Sequence, residues 1–153
     1  MRAFFTLALF PSLILAADLP DPVAITAAMK KAVVYAHTHL AREGGYASSY
    51  DKEGKIGEVE HGKSATIISI QPHGTTTMGL AMLKAYQATG DEVFLAAAKD
   101  AAKALLKCQL ASGGWASDFD CEPDKAKKYH LRSDLEAGDQ ESGKRNNSST
   151  LDD

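Results

Sequence analysis

His61 stands with Glu58 and Glu60 in a polar stretch, three side chains of types that bind metal ions. The plainer reading of such a trio is a solvated, charged loop. Cys108 and Cys121 flank Gly113-Gly114-Trp115. A bridge between them would clip a helix end to the loop after it, and two free or buried thiols are the equal alternative. With no matching histidine spacing they do not form a zinc site. Tyr46 and Trp115 offer flat rings that either stack on a ligand or pack the ends of helical hairpins. Their shared place in a repeat favours packing. His73, between Pro72 and Gly74, reads as a surface histidine. Asp152-Asp153 follow the hydroxyl triplet Ser148-Ser149-Thr150, and on residue type alone they are the acids that a helix dipole favours in a first turn. No Gly-rich phosphate loop, nucleophile elbow or zinc-protease motif is present.

The elements that must position these residues are written twice. Residues 27–51 recur as 96–120: Ala27, Ala28, Lys30, Ala32, Gly44, Gly45, Ala47, Ser48 and Asp51 return as Ala96, Ala97, Lys99, Ala101, Gly113, Gly114, Ala116, Ser117 and Asp120. Tyr46 becomes Trp115, and Tyr50 becomes Phe119. Each copy reads as a helix, then Gly-Gly, then an aromatic-bearing loop. Repeats of this length built from helix pairs predict a stacked or circular all-α architecture. Helices are expected at 23–42, 77–89 and 92–110. Asp21-Pro22 marks the first start, Gly44-Gly45 its end, and Gly90-Asp91 the turn between the other two. Residues 46–64 read as a polar loop, and Thr66 to Ile70 as a brief extended segment. Residues 122–147 form a long polar segment anchored only by Tyr129, Leu131 and Leu135.

At 153 residues, 44% apolar and 24% charged, the chain has the composition of a globular protein. A net charge of −3 gives no basic footprint, so nucleic acid is not an expected partner. Residues 1–17 place Arg2 before an apolar run that closes on Ala16-Ala17. That is the pattern of a secretory signal peptide, with a retained membrane anchor as the plainer alternative. It sets 18–153 apart as one domain, secreted or periplasmic, with no membrane partner after cleavage.

The tract 71–115, QPHGTTTMGLAMLKAYQATGDEVFLAAAKDAAKALLKCQLASGGW, followed by a polar loop and NNSSTLDD, resembles the N-terminal half of the catalytic domain of polysaccharide lyase family 10 pectate lyases. The likeness covers roughly residues 22–153. It implies an α/α barrel (toroid) with a groove across one end of its inner helices. It also implies β-elimination on polygalacturonate, with Ca²⁺ bridging the substrate carboxylate and acidic side chains. The Asp of the family's Thr-Ile-Asp-Asn motif falls on Asp152, which the resemblance places at the catalytic groove. Asp152 and Asp153 are then the metal candidates, although the family's Asn has become Asp153. The arginine base of these lyases would lie beyond residue 153.

The implied chemistry suits these residue types. Elimination removes the proton next to a uronate carboxylate, and Ca²⁺ acts there as a Lewis acid. Hard carboxylate oxygens suit Ca²⁺. Trp115 and Arg132 are the candidates for contact with the acidic polysaccharide. Arg132 belongs to a basic set with Lys125, Lys127, Lys128, Lys144 and Arg145, whose interleaved acids also fit a solvated loop. The combined expectation is an all-α, truncated toroid of helical hairpins. The inner faces, carrying Met78, Leu80, Met82 and Leu83, would lack partners and leave little net stability. A carbohydrate-binding or scaffolding toroid without activity is the first alternative. A toroid glycosidase with paired carboxylates is the second.

Overall fold

The computed structural model describes residues 21–149. The signal-peptide reading of residues 1–17 and the metal reading of Asp152 and Asp153 fall outside them. Helix α1 is Pro22–Tyr35. It starts where Asp21 accepts the Val23 amide at 3.3 Å and Pro22 fixes the first helical residue. It runs into a π-helical turn, Ala36–Leu40. Helices α2 (Thr75–Thr89) and α3 (Glu92–Lys107) form the main hairpin. Gly90, at φ 70°, ends α2, and Asp91 caps α3 by accepting the Val93 amide at 3.0 Å. The pair can approach closely because Gly79 lies where a Cβ would come within 3.0 Å of Ala101. All three helices fall where the residue pattern expects them, the first and third ending short of the expected 42 and 110.

The remainder overturns the all-α toroid expectation. The described residues are about 50% helical and 16% strand, with two small antiparallel sheets. Strands β1 (Ser49–Tyr50), β2 (Gly57–Val59) and β3 (Gly62–Ser64) pair in that order, β2 and β3 joined by a two-residue turn at Glu60-His61. Strand β4 (Ile67–Ser69) pairs with β5 (Asp118–Asp120), in the register Ile67 with Asp120, Ile68 with Phe119 and Ser69 with Asp118. The fold is therefore mixed helix and sheet. Strands of two or three residues show no readable alternation, and β4 finds its partner far along the chain, so helical periodicity alone points to the wrong class. Two short helices, α4 (Pro123–Ala126) and α5 (Arg132–Glu136), and a 3₁₀ turn at Gln140–Lys144 complete the polar segment.

Two apolar clusters hold these layers together. One joins Ala36, Tyr46, Met82, Ala97, Ala98 and Ala101 between the helices. The other joins Ile68, Ala104, Cys108, Leu110, Phe119, Cys121 and Tyr129 beneath the β4–β5 ladder. Cys108 and Cys121 are free thiols in it, and burial first, then the neighbouring thiol, pushes Cys108 up to about 12. Of the inner-face residues expected to lack partners, Met82 is fully buried and Met78 packs on the helical cluster, while Leu80 and Leu83 stay exposed. Among the described residues no helix is long and apolar enough to cross a membrane.

Candidate functional site

A cleft of about 600 Å³ opens over the β4–β5 ladder. Its walls come from β3, β5 and the segment around α4, and they carry His61, Lys63, Asp118, Asp120, Lys125 and Lys128. Strand alternation explains the placing of the acids. Phe119 turns into the core and stacks on Tyr129 with ring centres 5.4 Å apart. Asp118 and Asp120, its neighbours on either side, share the opposite face.

The two carboxylates are held differently. Asp120 is almost fully buried and accepts from the Thr66 hydroxyl, the Ser64 hydroxyl at 2.9 Å, the Lys125 ammonium at 3.0 Å and the Glu122 amide at 3.2 Å. Burial alone would raise its pKa, but these donors outweigh burial and hold the carboxyl down at about 2. Asp118, with 9% of its side chain exposed, receives the His61 backbone amide at 3.2 Å and lies 2.9 Å from His61 Nδ1, both through Oδ2. Its Oδ1 is buried and has no hydrogen-bond partner among the described residues. Tyr129 donates its hydroxyl to the Asp118 carbonyl at 3.1 Å, which locks β5 to the far wall.

The cations come from short-range structure. Glu122 caps α4 by accepting the Asp124 and Lys125 amides at 3.2 and 3.3 Å, with Pro123 next to it in the first turn. That turn aims Lys125 back at Asp120. The Lys128 ammonium sits 4.8 Å from the centre of the Tyr129 ring, within cation–π range.

Trp115 is half-buried, packs on the sheet-side cluster and donates its indole N–H to the Leu105 carbonyl at 2.8 Å. Arg132 lies on α5, where it pairs with Glu136 at 3.2 Å. Neither is among the residues lining the cleft, although Ala116, next to Trp115, is. His61 does not gather Glu58 and Glu60 into a metal cage; its carboxylate partner at 2.9 Å is Asp118, with Glu60 at 4.0 Å. Among the described residues no group of three or more His, Cys, Asp or Glu side chains is placed to hold a metal ion. Asp120 has committed both oxygens to protein donors, and the one unpartnered oxygen of Asp118 is buried. The described residues therefore do not fit a resident Ca²⁺ by themselves.

Residue reading passed over Asp118 altogether and noticed Asp120 only as the repeat partner of Asp51. The available signal was the alternation in Asp118-Phe119-Asp120, an aromatic flanked by two acids, which puts both carboxylates on one side of a strand. The sequence profile of the family described as pectic acid lyase matches residues 27–150. No curated protein and no solved structure gives a significant match.

Proposed function

The chain belongs to the pectic acid lyase family, and on that premise we propose that it serves the breakdown of a pectate-type acidic polysaccharide. The finer reading is exported, Ca²⁺-dependent β-elimination of polygalacturonate, as in polysaccharide lyase family 10. The observation that carries the proposal is the family match across nearly all the described residues. The cleft supports it, being within the usual size of a small-ligand site and lined by lysines that attract uronate carboxylates. Its carboxylates and hydroxyl-bearing walls suit the hydroxyl groups of a sugar.

The Ca²⁺ in this reading rests on Asp152 and Asp153. When bound, it would neutralise the uronate carboxylate. What the described residues themselves supply is binding and orientation: Lys63, Lys125 and Lys128 bring positive charge to the cleft, and Asp118 fixes His61 through two contacts to one oxygen. The test is incubation with polygalacturonate, with Ca²⁺ or with a chelator, read as absorbance of the unsaturated product. In a protein that also carries the arginine base, product formed only with Ca²⁺ is the expected result. Binding without product would turn the reading to a carbohydrate-binding protein, and neither binding nor product would end it.

A further inference from the structure

The cleft is polarised along β5. Asp118 and Asp120 are two residues apart on an extended strand, about 6.6 Å along its axis, a distance on the scale of one sugar ring with its substituents. Near Asp120 the charge is positive and available. Lys125 is 54% exposed and held by the Asp120 carboxylate at 3.0 Å. Asp120 keeps three other donors, so Lys125 can turn its remaining N–H groups to a ligand without stranding a buried carboxylate. Lys128 is exposed and stands over the Tyr129 ring, and among the described residues no ion pair ties it to a carboxylate. Asp124, which also lines this end, is neutralised by Lys127 at 2.6 Å. Near Asp118 the character is reversed. Among the described residues Asp118 is paired with no lysine and is held by the His61 amide and ring, so that wall disfavours an anion and leaves room for a neutral hydroxyl.

We propose that Lys125 and Lys128 are the residues that read the carboxylate of a uronate unit, with Asp120 as the positioning residue for Lys125 and Asp118 facing the unit's hydroxyl side. The cleft then takes an acidic sugar in one orientation and discriminates against its neutral counterpart. This rests on the polysaccharide reading above. It goes further by assigning specificity to two lysines that sequence reasoning left in a solvated loop.

The test compares titration of the chain with trigalacturonate and with neutral galactotriose by calorimetry. The variants are Lys125→Met, Lys128→Met, their double, and Lys144→Met, which removes the same charge from the polar segment at a lysine that, like its partner Glu141, does not line the cleft. Each cleft variant is expected to weaken trigalacturonate binding about tenfold or more, with galactotriose unchanged and Lys144→Met near wild type. Lys125→Arg should retain part of the affinity. If the double variant binds trigalacturonate as wild type does, or if Lys144→Met loses as much as Lys125→Met, the assignment is overturned while the polysaccharide reading stands. If the wild-type chain binds neither sugar, both fall together.

Discussion

Asp51 and Asp120 hold the same position in the two copies of the repeat, one in solvent and the other buried among four donors. The copies share backbone features: Gly44 and Gly113 sit at φ 89° and 93°, and the next glycine in each accepts a backbone amide, Gly45 from Arg42 at 2.8 Å and Gly114 from Leu110, the counterpart of Ala41, at 2.9 Å. They diverge in where the following strand finds its partner. In the first copy β1 pairs with β2, the next strand along, and Asp51 stays at the rim, accepting the Lys55 and Ile56 amides at 2.7 and 3.1 Å. In the second copy β5 pairs back to β4, and Asp120 is enclosed by Ser64, Thr66 and Lys125. The aromatic positions diverge the other way. Tyr46 is 1% exposed, with its amide bonded to the buried Thr75 hydroxyl at 3.0 Å, while Trp115 is half-buried. One local pattern thus yields a core anchor in one place and a binding wall in another, and tertiary pairing decides which.

The sharpest way to break the equivalence is at its glycines. A Cβ on Gly44 would sit 2.3 Å from the Asp100 carbonyl oxygen, whereas one on Gly113 meets nothing within 4 Å. Gly44→Ala therefore combines left-handed strain with an overlap against backbone and is expected to cost roughly 2–4 kcal/mol. Gly113→Ala carries the conformational penalty alone, about 1 kcal/mol. Urea denaturation of the two variants checks this, and equal losses would show that the α3 contact at Gly44 is not tight.

Arg42 marks a second asymmetry, because its counterpart in the other copy is Ala111. The π-helical turn leaves carbonyls at the end of the first helix without helical partners. The Arg42 guanidinium collects those of His39, Leu40 and Ala41, and on its other side those of Gly54, Lys55 and Ala65. An ammonium cannot span such a fan. Arg42→Lys is expected to lower stability by about 2 kcal/mol, with the loss visible as faster amide exchange at residues 54–56.

Asp120 against Asp51 gives the pH test. Asp120 has a folded pKa of about 2, below the ordinary 3.8. Its stabilisation is therefore fully present above about pH 4 and is lost as pH falls toward 2, a contribution of roughly 2 kcal/mol. Asp120→Asn should cost about that much at pH 6 and much less at pH 2. Asp51→Asn keeps a side-chain oxygen for the Lys55 and Ile56 amides and is expected to cost under about 0.5 kcal/mol. A gap between wild type and Asp120→Asn that does not narrow with acid would mean that Asp120 is not held as a buried, hydrogen-bonded carboxylate.

These contrasts also show what the sequence makes legible. Helix positions are readable because their signals are local: Asp21-Pro22 at one start, Gly90-Asp91 between two helices, Gly44 at an end. The repeat was readable for the same reason. Strand β4 falls inside the extended segment read at Thr66 to Ile70, but the strand pairings and the cleft were not readable, because they rest on contacts far apart along the chain. Ser69 pairs with Asp118, His61 meets Asp118, and Thr66 meets Asp120. Nothing in a two- or three-residue strand announces its partner, so Lys125 and Lys128 looked like solvated charges until β5 brought Asp120 beneath them.

Trp115 supplies a small effect and the finest test of the comparison, since its counterpart Tyr46 is wholly core. Its indole N–H donates to the Leu105 carbonyl at 2.8 Å and its ring rests on the sheet-side cluster, contacts that belong to packing. Trp115→Phe removes that hydrogen bond and part of the apolar area, and is expected to lower stability by about 1 kcal/mol. Tyr46→Phe gives up only a long hydroxyl contact, 4.0 Å from the Met82 sulfur, and should cost less than that. Trp115 does not line the cleft, so a packing role leaves trigalacturonate affinity at the wild-type value once the protein is folded. A sugar-stacking role, the other reading of this residue type, would instead weaken binding of trigalacturonate and galactotriose alike, because a ring face reads the sugar's apolar surface and not its charge. Equal weakening of both sugars would move the binding surface from the lysine cleft toward the Gly-Gly-aromatic loop; unchanged binding keeps Trp115 in the same structural class as Tyr46.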